Sequence, residues 1–478
     1  MTGGPLPAKI PIREEGVRSV SHADLMAAGI DAGGVASATI ALTAGGVAVP
    51  RRVLDGGDGT FDPGDRVEFH GVGVSGDPDT DINVYRLTFN QDPGLDPATR
   101  IASPAGGTVP TSFIHRERFE INEQLWTSLS DSDGDHFTWR TIQKAGSAAT
   151  SDFPFTLVDR DPAATDVRFL FRLLHASGGT HVTDLLLNGQ PLLDSRSWSV
   201  GDVTHDVVAP AAWLAGGGAD TLTVELDGGG VHQVLANWFE VEYSRLLTAD
   251  DDRLLFSTDL PAPVQYSVGG FTTPDIVAWD VTDPAVPILP TGGQVTGIAP
   301  DHVFTFTDSV GGPRRFEVRA GARPPAMPIQ PDQPSSWADP SNGADLIVIS
   351  HPDFLPDLAP LVAARRAQGL RVALVDVTDV YDEFGNGRST PAAIRDMVAY
   401  AYASWQAPAP AYLLLVGNAT LDPRRLLTNP VSLPVMMPSG IFDAPSLGMA
   451  STDNYFVTVA GTDPLPDLFV GRLPAQTP

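Results

Sequence analysis

Over most of the chain, apolar and polar residues alternate at every second position. Val167, Phe169, Phe171 and Leu173 run against Arg168 and Arg172. Leu222, Val224 and Leu226 repeat the pattern, and Phe239, Val241 and Tyr243 enclose Glu240 and Glu242. A period of two puts successive side chains on opposite faces, which predicts half-buried strands. Residues 66–70 alternate in the same way. Turn signals stand between the runs. Thr43, Ala44, Gly45 and Gly46 separate 40–42 from 47–49, and Asn188-Gly189 separates two apolar runs, which is the strongest short hairpin signal. Residues 55–65 form a long Gly- and Asp-rich turn segment.

After residue 343 the pattern changes. Residues 346–349 are continuously apolar, as expected of a strand covered on both faces. Leu358, Leu361 and Val362 follow helical spacing, and Gly369 stands where a helix ends. Residues 372–377 predict a second strand. Thr390-Pro391 supplies an N-cap and first-turn proline, and Ile394, Met397, Val398 and Ala401 trace one helical face. Residues 412–416 predict a third buried strand. Strand, helix, strand, helix, strand implies a parallel sheet with right-handed crossovers, whose ligands bind outside the carboxyl ends of the strands.

The resulting fold class is multidomain: tandem all-β modules followed by an α/β domain with a mainly parallel sheet. The expected division is an irregular N-terminal β domain (1–115), a β-sandwich (116–246), a small Ig-like β module (247–325), a Pro-rich linker (326–343) and the α/β domain (344–478). The linker belongs to a stretch with prolines at 324, 325, 328, 331, 334 and 340 and no helical or strand pattern, so a stiff extended spacer is expected.

Composition narrows the chemistry. The chain has 478 residues, 30 basic and 58 acidic, for a net charge of −28. Such a chain is repelled by phosphate backbones and anionic headgroups, which argues against nucleic-acid and membrane-surface roles. Cysteine is absent, so disulfides, zinc-thiolate sites and a thiol nucleophile are impossible within these residues. No apolar run is long enough for a membrane-spanning helix, and the first 16 residues lack the apolar core of a signal peptide.

No candidate motif is complete. Asp131, Asp133 and Asp135 have calcium-ligand character, but glycine falls too early for the EF-hand register and Ile142 stands at the closing-glutamate position, so a solvated turn is the plainer reading. His175 and His181 flank a short loop without an acidic partner at a metal-site spacing. His351 follows a parallel strand, a privileged place, but Pro352 comes next, as in a turn. Gly71, Gly73 and Gly76 spell a dinucleotide fingerprint without the helix that would present amides to a pyrophosphate. Nucleophile-elbow, phosphate-loop and thermolysin-type zinc motifs are missing. No organic cofactor is expected.

The C-terminal part resembles the gingipain-type cysteine peptidase family. The segments that carry the resemblance are ADLIVIS (344–350), GLRVALVDVTDVYDEFG (369–385), TPAAIRDMV (390–398), YLLLVGNATLDP (412–423), STDNYF (451–456) and PDLFVGRLPAQT (466–477). Upstream, RSVSHADLMAAGI (18–30), GDRVEFHGVG (64–73), TDINVYRL (80–87) and YSVGGFTTPDIVAWDVTDP (266–284) resemble the N-terminal β region of secreted members. The resemblance implies a caspase-like α/β fold, a thiol paired with an imidazole downstream of Gly471-Arg472-Leu473, and protein or peptide substrates. It also implies a structural calcium ion, for which Asp422 and Asp453 are the candidates. Asn418 stands where the family commonly carries an acid. No cysteine occurs here and no histidine follows His351, so no catalytic residue can be assigned to this chain.

The expectation is therefore the N-terminal portion of a secreted cysteine endopeptidase, inactive by itself and cut short before its reactive half, with its last sheet left open. The alternatives are a non-catalytic cell-surface binding protein built on the β modules, and a secretion or processing accessory of the same family. Extracellular or cell-surface localisation follows from the resemblance, the β-rich build and the acidic charge.

Overall fold

The structure is a computed structural model and describes residues 4–90, 93–101, 106–129, 134–428, 436–444 and 448–477. Strands dominate it, mostly in antiparallel sheets, and the parallel sheet lies at the C-terminal end.

The N-terminal region packs a sheet built on Ala8–Ile12, Asn83–Thr88 and Ala41–Ala44 against a smaller one of Gly16–Ser21, Arg66–Gly71 and Arg51–Leu54. Ile10, Leu42, Phe61, Phe69 and Leu87 fill the space between. Residues 66–70 do form a strand, but not a half-buried one. Glu68 and His70 are as buried as Val67 and Phe69. The face expected to meet solvent packs on another module, where Glu68 accepts from Arg319. The Gly71, Gly73 and Gly76 segment leads through turns into the strand Asn83–Thr88, with no helix, so it has no nucleotide-loop architecture.

The middle region is a sandwich. One sheet runs through Ser112–Glu120, Val231–Leu246, Asp166–Ser177 and Asp202–Pro210; the other through Ala149–Phe155, Asp220–Asp227, His181–Leu187 and Gln190–Trp198. The alternating residues read from the sequence are its core: Phe169, Phe171, Phe239, Leu222 and Val224 are sealed between the sheets. Each such side chain contributes about 1.5–3 kcal/mol by leaving water. Asn188 and Gly189 both take positive φ, 50° and 79°, which makes the tight turn whose twist matches its flanking strands.

The third module stacks Phe256, Tyr266, Phe306 and Phe316 between two further sheets. Here the chain crosses the expected boundaries. Ala98–Ile101 pairs in parallel with Ile288–Thr291, so the end of the N-terminal region completes a sheet of the third module. The Pro-rich stretch is not a free spacer either. Gln330–Pro331 pairs with Ala8 and Lys9, and Trp337 joins the core of the α/β domain. Glu383 fixes that stretch by accepting hydrogen bonds from the backbone N–H groups of Trp337 (2.8 Å) and Ala338 (2.7 Å). Local periodicity does not register such anchoring, because each contact comes from a distant element.

The α/β domain follows the expected order. Its parallel sheet runs Val372–Asp376, Leu346–Ser350, Tyr412–Val416, Phe469–Leu473. Helix Ala359–Ala367 follows the first strand after a tight turn at Pro352–Leu358, and helix Pro391–Ser404 starts behind Thr390, whose hydroxyl caps Ala393. The periodicity did not show the fourth strand, Phe469–Leu473, the hairpin Gly440–Ala444 with Gly448–Thr452, or a further helix. Val377–Phe384 is a helix that begins directly at the strand end, capped by the Asp376 carboxylate on Thr378. Its β-branched opening residues looked like more strand.

Candidate functional site

The carboxyl ends of the parallel strands are the privileged place for chemistry in such a sheet. They are marked by Ser350-His351, Asp376, Gly417-Asn418 and Leu473.

Arg472 organises this end. Its guanidinium grips Asp453 with two hydrogen bonds, 2.9 and 2.6 Å, and donates to the carbonyls of Gly417 (2.9 Å), Met437 (3.0 Å) and Pro438 (2.8 Å). The planar fork thereby ties the strand Phe469–Leu473 to the loop after Tyr412–Val416 and to the segment around Pro438. Gly417 sits at φ 134° against Met436 and Met437, where a β-carbon would stand 2.9 Å from the Met436 side chain. Asn418 is 5% exposed. Its backbone is paired with Ala475 and Met437, but neither atom of its side-chain amide has a hydrogen-bond partner.

The metal candidates can be tested against this geometry. Asp422 is buried, and its two carboxylate oxygens accept from the N–H groups of Leu426 (2.8 Å) and Leu427 (3.0 Å), so it caps its own loop. Asp453 is held by Arg472. Among the described residues, no group of three or more His, Asp or Glu gathers as a metal cage. Both carboxylates serve protein donors, an arrangement that does not fit a bound cation, and no chemistry is derived through one.

Of the other sequence candidates, His351 caps the turn Pro352–Leu358 by accepting from Asp353 N–H at 3.3 Å. His175 and His181 do meet, 2.8 Å apart, with His232 against the second ring, at one end of the sandwich and remote in the fold from the parallel sheet. Asp131 and Asp133 lie outside the described residues. Asp135 is described, and its carboxylate accepts from Phe137 N–H and the Asn237 amide.

Sequence reasoning missed the upstream regions that cover the loops at this sheet end. Asn122 O accepts from Thr428 N–H at 2.9 Å, and Thr127 O accepts from Met449 N–H at 2.6 Å. A cavity of about 480 Å³ is bounded by Asp77 from the N-terminal region, Arg118 and His136 from the sandwich, and Arg424 and Met449 from the α/β domain. Nearby, burial and then the charge of Asp77 push Asp79 up to about 6, with Arg424 opposing.

Residues 339–478 match the family model described as Peptidase family C25. The whole chain superimposes on the crystal structure of dimeric latent PorU from Porphyromonas gingivalis, with a TM-score of 0.66 at 17% identity. It covers 100% of this chain and 48% of that one, so the chain spans about half of that relative's length. The gingipain-type resemblance, with β domains upstream, rests on these two matches. A family 35 carbohydrate-binding module from Clostridium thermocellum (TM-score 0.18, 10% identity, 28% of this chain and 98% of that one) also overlaps. So does the C-terminal CBM6 of LamC from Zobellia galactanivorans (0.15, 13%, 27% and 98%), and neither likeness is high enough to carry an argument. No curated protein matches the chain.

Proposed function

We propose that these 478 residues are the N-terminal portion of a secreted gingipain-like cysteine endopeptidase whose thiol and imidazole are supplied by sequence outside them. The observation that carries the reading is the match of residues 339–478 to a peptidase family, in a chain that spans 48% of the latent PorU structure. Among the described residues, Phe469–Leu473 pairs only with Tyr412–Val416, and its Phe469 and Leu473 are 74% and 45% exposed. The faces of a parallel sheet are normally covered, and an edge strand offers a row of unpaired N–H and C=O groups to a further segment. The match of residues 339–478 to a peptidase family supports the reaction class.

In that reaction a thiolate attacks the peptide carbonyl, an imidazole takes and returns the proton, and backbone amides hold the oxyanion. The contribution of this chain is positional. Arg472 and Gly417 fix the strand ends beside which substrate would lie, and Asn418 offers a buried amide with unused donors and acceptors. Substrates are proteins or peptides, and the protein acts outside the cell or at its surface. Among the described residues no helix is long and apolar enough to cross a membrane.

The test is a protease assay on the purified chain with denatured casein, alone and joined to the sequence that follows it in the genome. The chain alone is expected to be inert, and the joined protein to cleave in a thiol-reagent-sensitive manner. Cleavage by the chain alone would overturn the proposal. An in-frame stop after residue 478 would do the same and would favour a non-catalytic surface protein.

A further inference from the structure

A second cleft lies far from the parallel sheet, where the sandwich meets the third module. It holds about 670 Å³ and is walled by the strands Ser112–Glu120 and Arg253–Leu260. That volume falls within the range of ligand sites. Among the described residues both walls are sheet edges: Ser112–Glu120 pairs only with Val231–Leu246, and Arg253–Leu260 with Gly312–Ala320 and, at Arg253, through a single bridge to Asp250. The two edges meet where the Phe113 and Phe256 rings stand 5.6 Å apart, and Leu260 also lines the cleft. Leu247 and Tyr266 add apolar surface, and Ile114, 64% exposed, lies on the rim.

We infer that this cleft binds an extended polypeptide segment that is apolar at alternate positions and carries a carboxylate. An unpaired edge offers main-chain donors and acceptors in a row, which a strand satisfies and a compact ligand does not. The apolar lining takes every second side chain. Charge selects the acid. Three charged residues line the cleft, Asp259, Arg314 and Arg315. Arg315 is paired with Glu15 at 2.7 Å. Arg314 has only Asp308 at 3.8 Å, beyond hydrogen-bond length, and Asp308 already serves Arg100 at 3.2 Å. Among the described residues the Arg314 guanidinium makes no side-chain hydrogen bond, so beside the lining carboxylate of Asp259 it has N–H donors to offer an incoming carboxylate.

The test uses the full chain and two capped, fluorescein-labelled pentapeptides, Val-Glu-Val-Glu-Val and Val-Lys-Val-Lys-Val, read by fluorescence anisotropy. The acidic peptide is expected to bind saturably below about 1 mM, and the lysine peptide at least roughly fivefold more weakly. Arg314→Gln should weaken the acidic peptide by about the same factor. Ser257→Trp, at an exposed position on the cleft wall, should abolish binding while leaving thermal unfolding unchanged. Absence of saturable binding, equal binding of the two peptides, or binding that both variants leave intact would overturn the inference.

Discussion

The carboxylate of Glu68 and the guanidinium of Arg319 meet 2.5 Å apart, each side chain only 2% exposed, across 251 residues of sequence. They join the strand Arg66–Gly71 of the N-terminal region to Gly312–Ala320 of the third module. Beside them Glu317, fully buried, accepts from Val17 N–H at 3.0 Å and pairs with Arg253 at 3.1 Å. The two modules are therefore held by charges withdrawn from water; without Arg319, Glu68 keeps Arg66 at 3.0 Å and Arg52 at 3.7 Å, both from its own module.

Arg319→Met is expected to destabilise the chain by about 1.5–3 kcal/mol, because buried Glu68 loses one of its charge-assisted hydrogen bonds and keeps that from Arg66. The double variant Glu68→Leu with Arg319→Met should recover most of that loss, since neither buried charge remains and Arg66 and Arg52 are partly exposed. Urea unfolding of the four proteins closes the cycle. Equal losses in single and double variants would show that the pair itself holds the modules together.

His181 ties the stability of the sandwich to pH. It is fully buried beside His175, against the His232 ring (5.2 Å) and the Trp198 ring (4.5 Å). Burial first, then the charges of His175 and His232, push it down to about 4. The unfolded chain takes up this proton below about 6.5 and the folded chain does not. Stability is therefore full above about pH 6.5 and falls as pH drops toward 4, by up to about 3 kcal/mol. His205, lowered to about 4 by burial and then Arg196, acts in the same direction. Asp79, raised to about 6, acts in the opposite one: its contribution is full below the ordinary carboxylate range and is lost as pH rises through about 6. His181→Phe should flatten part of the acid-side slope in urea midpoints taken from about pH 4 to 8. Parallel curves for variant and parent would remove His181 from the account.

At Asn418 an apolar replacement should be tolerated. With both amide atoms buried and unbonded, Asn418→Leu is expected to be neutral or to stabilise the chain by about 1–2 kcal/mol, whereas Asn418→Asp should cost at least about 2 kcal/mol by burying a charge. Thermal unfolding distinguishes these. A clear loss in the leucine variant would mean that the amide has a partner in solution.

Glu383→Ala should release the Pro-rich stretch. The carboxylate holds Trp337, Ala338 and the Ser335 hydroxyl, and Trp337 packs on Trp405 with ring centroids 6.2 Å apart. Loss of these charge-assisted bonds is expected to cost about 2–3 kcal/mol. It should also speed amide exchange at Trp337 and Ala338 and shift the tryptophan emission to the red. Unchanged exchange there would mean that Trp337 packing alone secures the segment.

The sheet end that frames the candidate site was legible only in outline. Apolar runs and cap residues located three of its four strands and two of its helices, Gly417, Asn418 and Asp422 fall in the loop after the third strand, and Asp453 falls in the acidic segment that follows. Their roles were not legible. A lone Asp reads the same whether it binds a cation, caps its own loop as Asp422 does, or pairs with an arginine 19 residues away as Asp453 does with Arg472. Only the position of the donor decides among these, and donors arrive through folding.

The sequence by itself determined the elements: strands where the period is two, tight turns at Asn188-Gly189 and its like, the switch to strand and helix after residue 343, and the absence of any thiol. Those are local properties, set by side-chain sterics and the backbone within a few residues. The tertiary structure alone decided which edges pair, why Ala98–Ile101 belongs with Ile288–Thr291, and why Glu68 and His70 are buried on a strand whose pattern exposes them. A strand's periodicity marks two faces and says nothing of what will cover either one. That is set by hydrogen-bond register and burial between segments far apart in the chain.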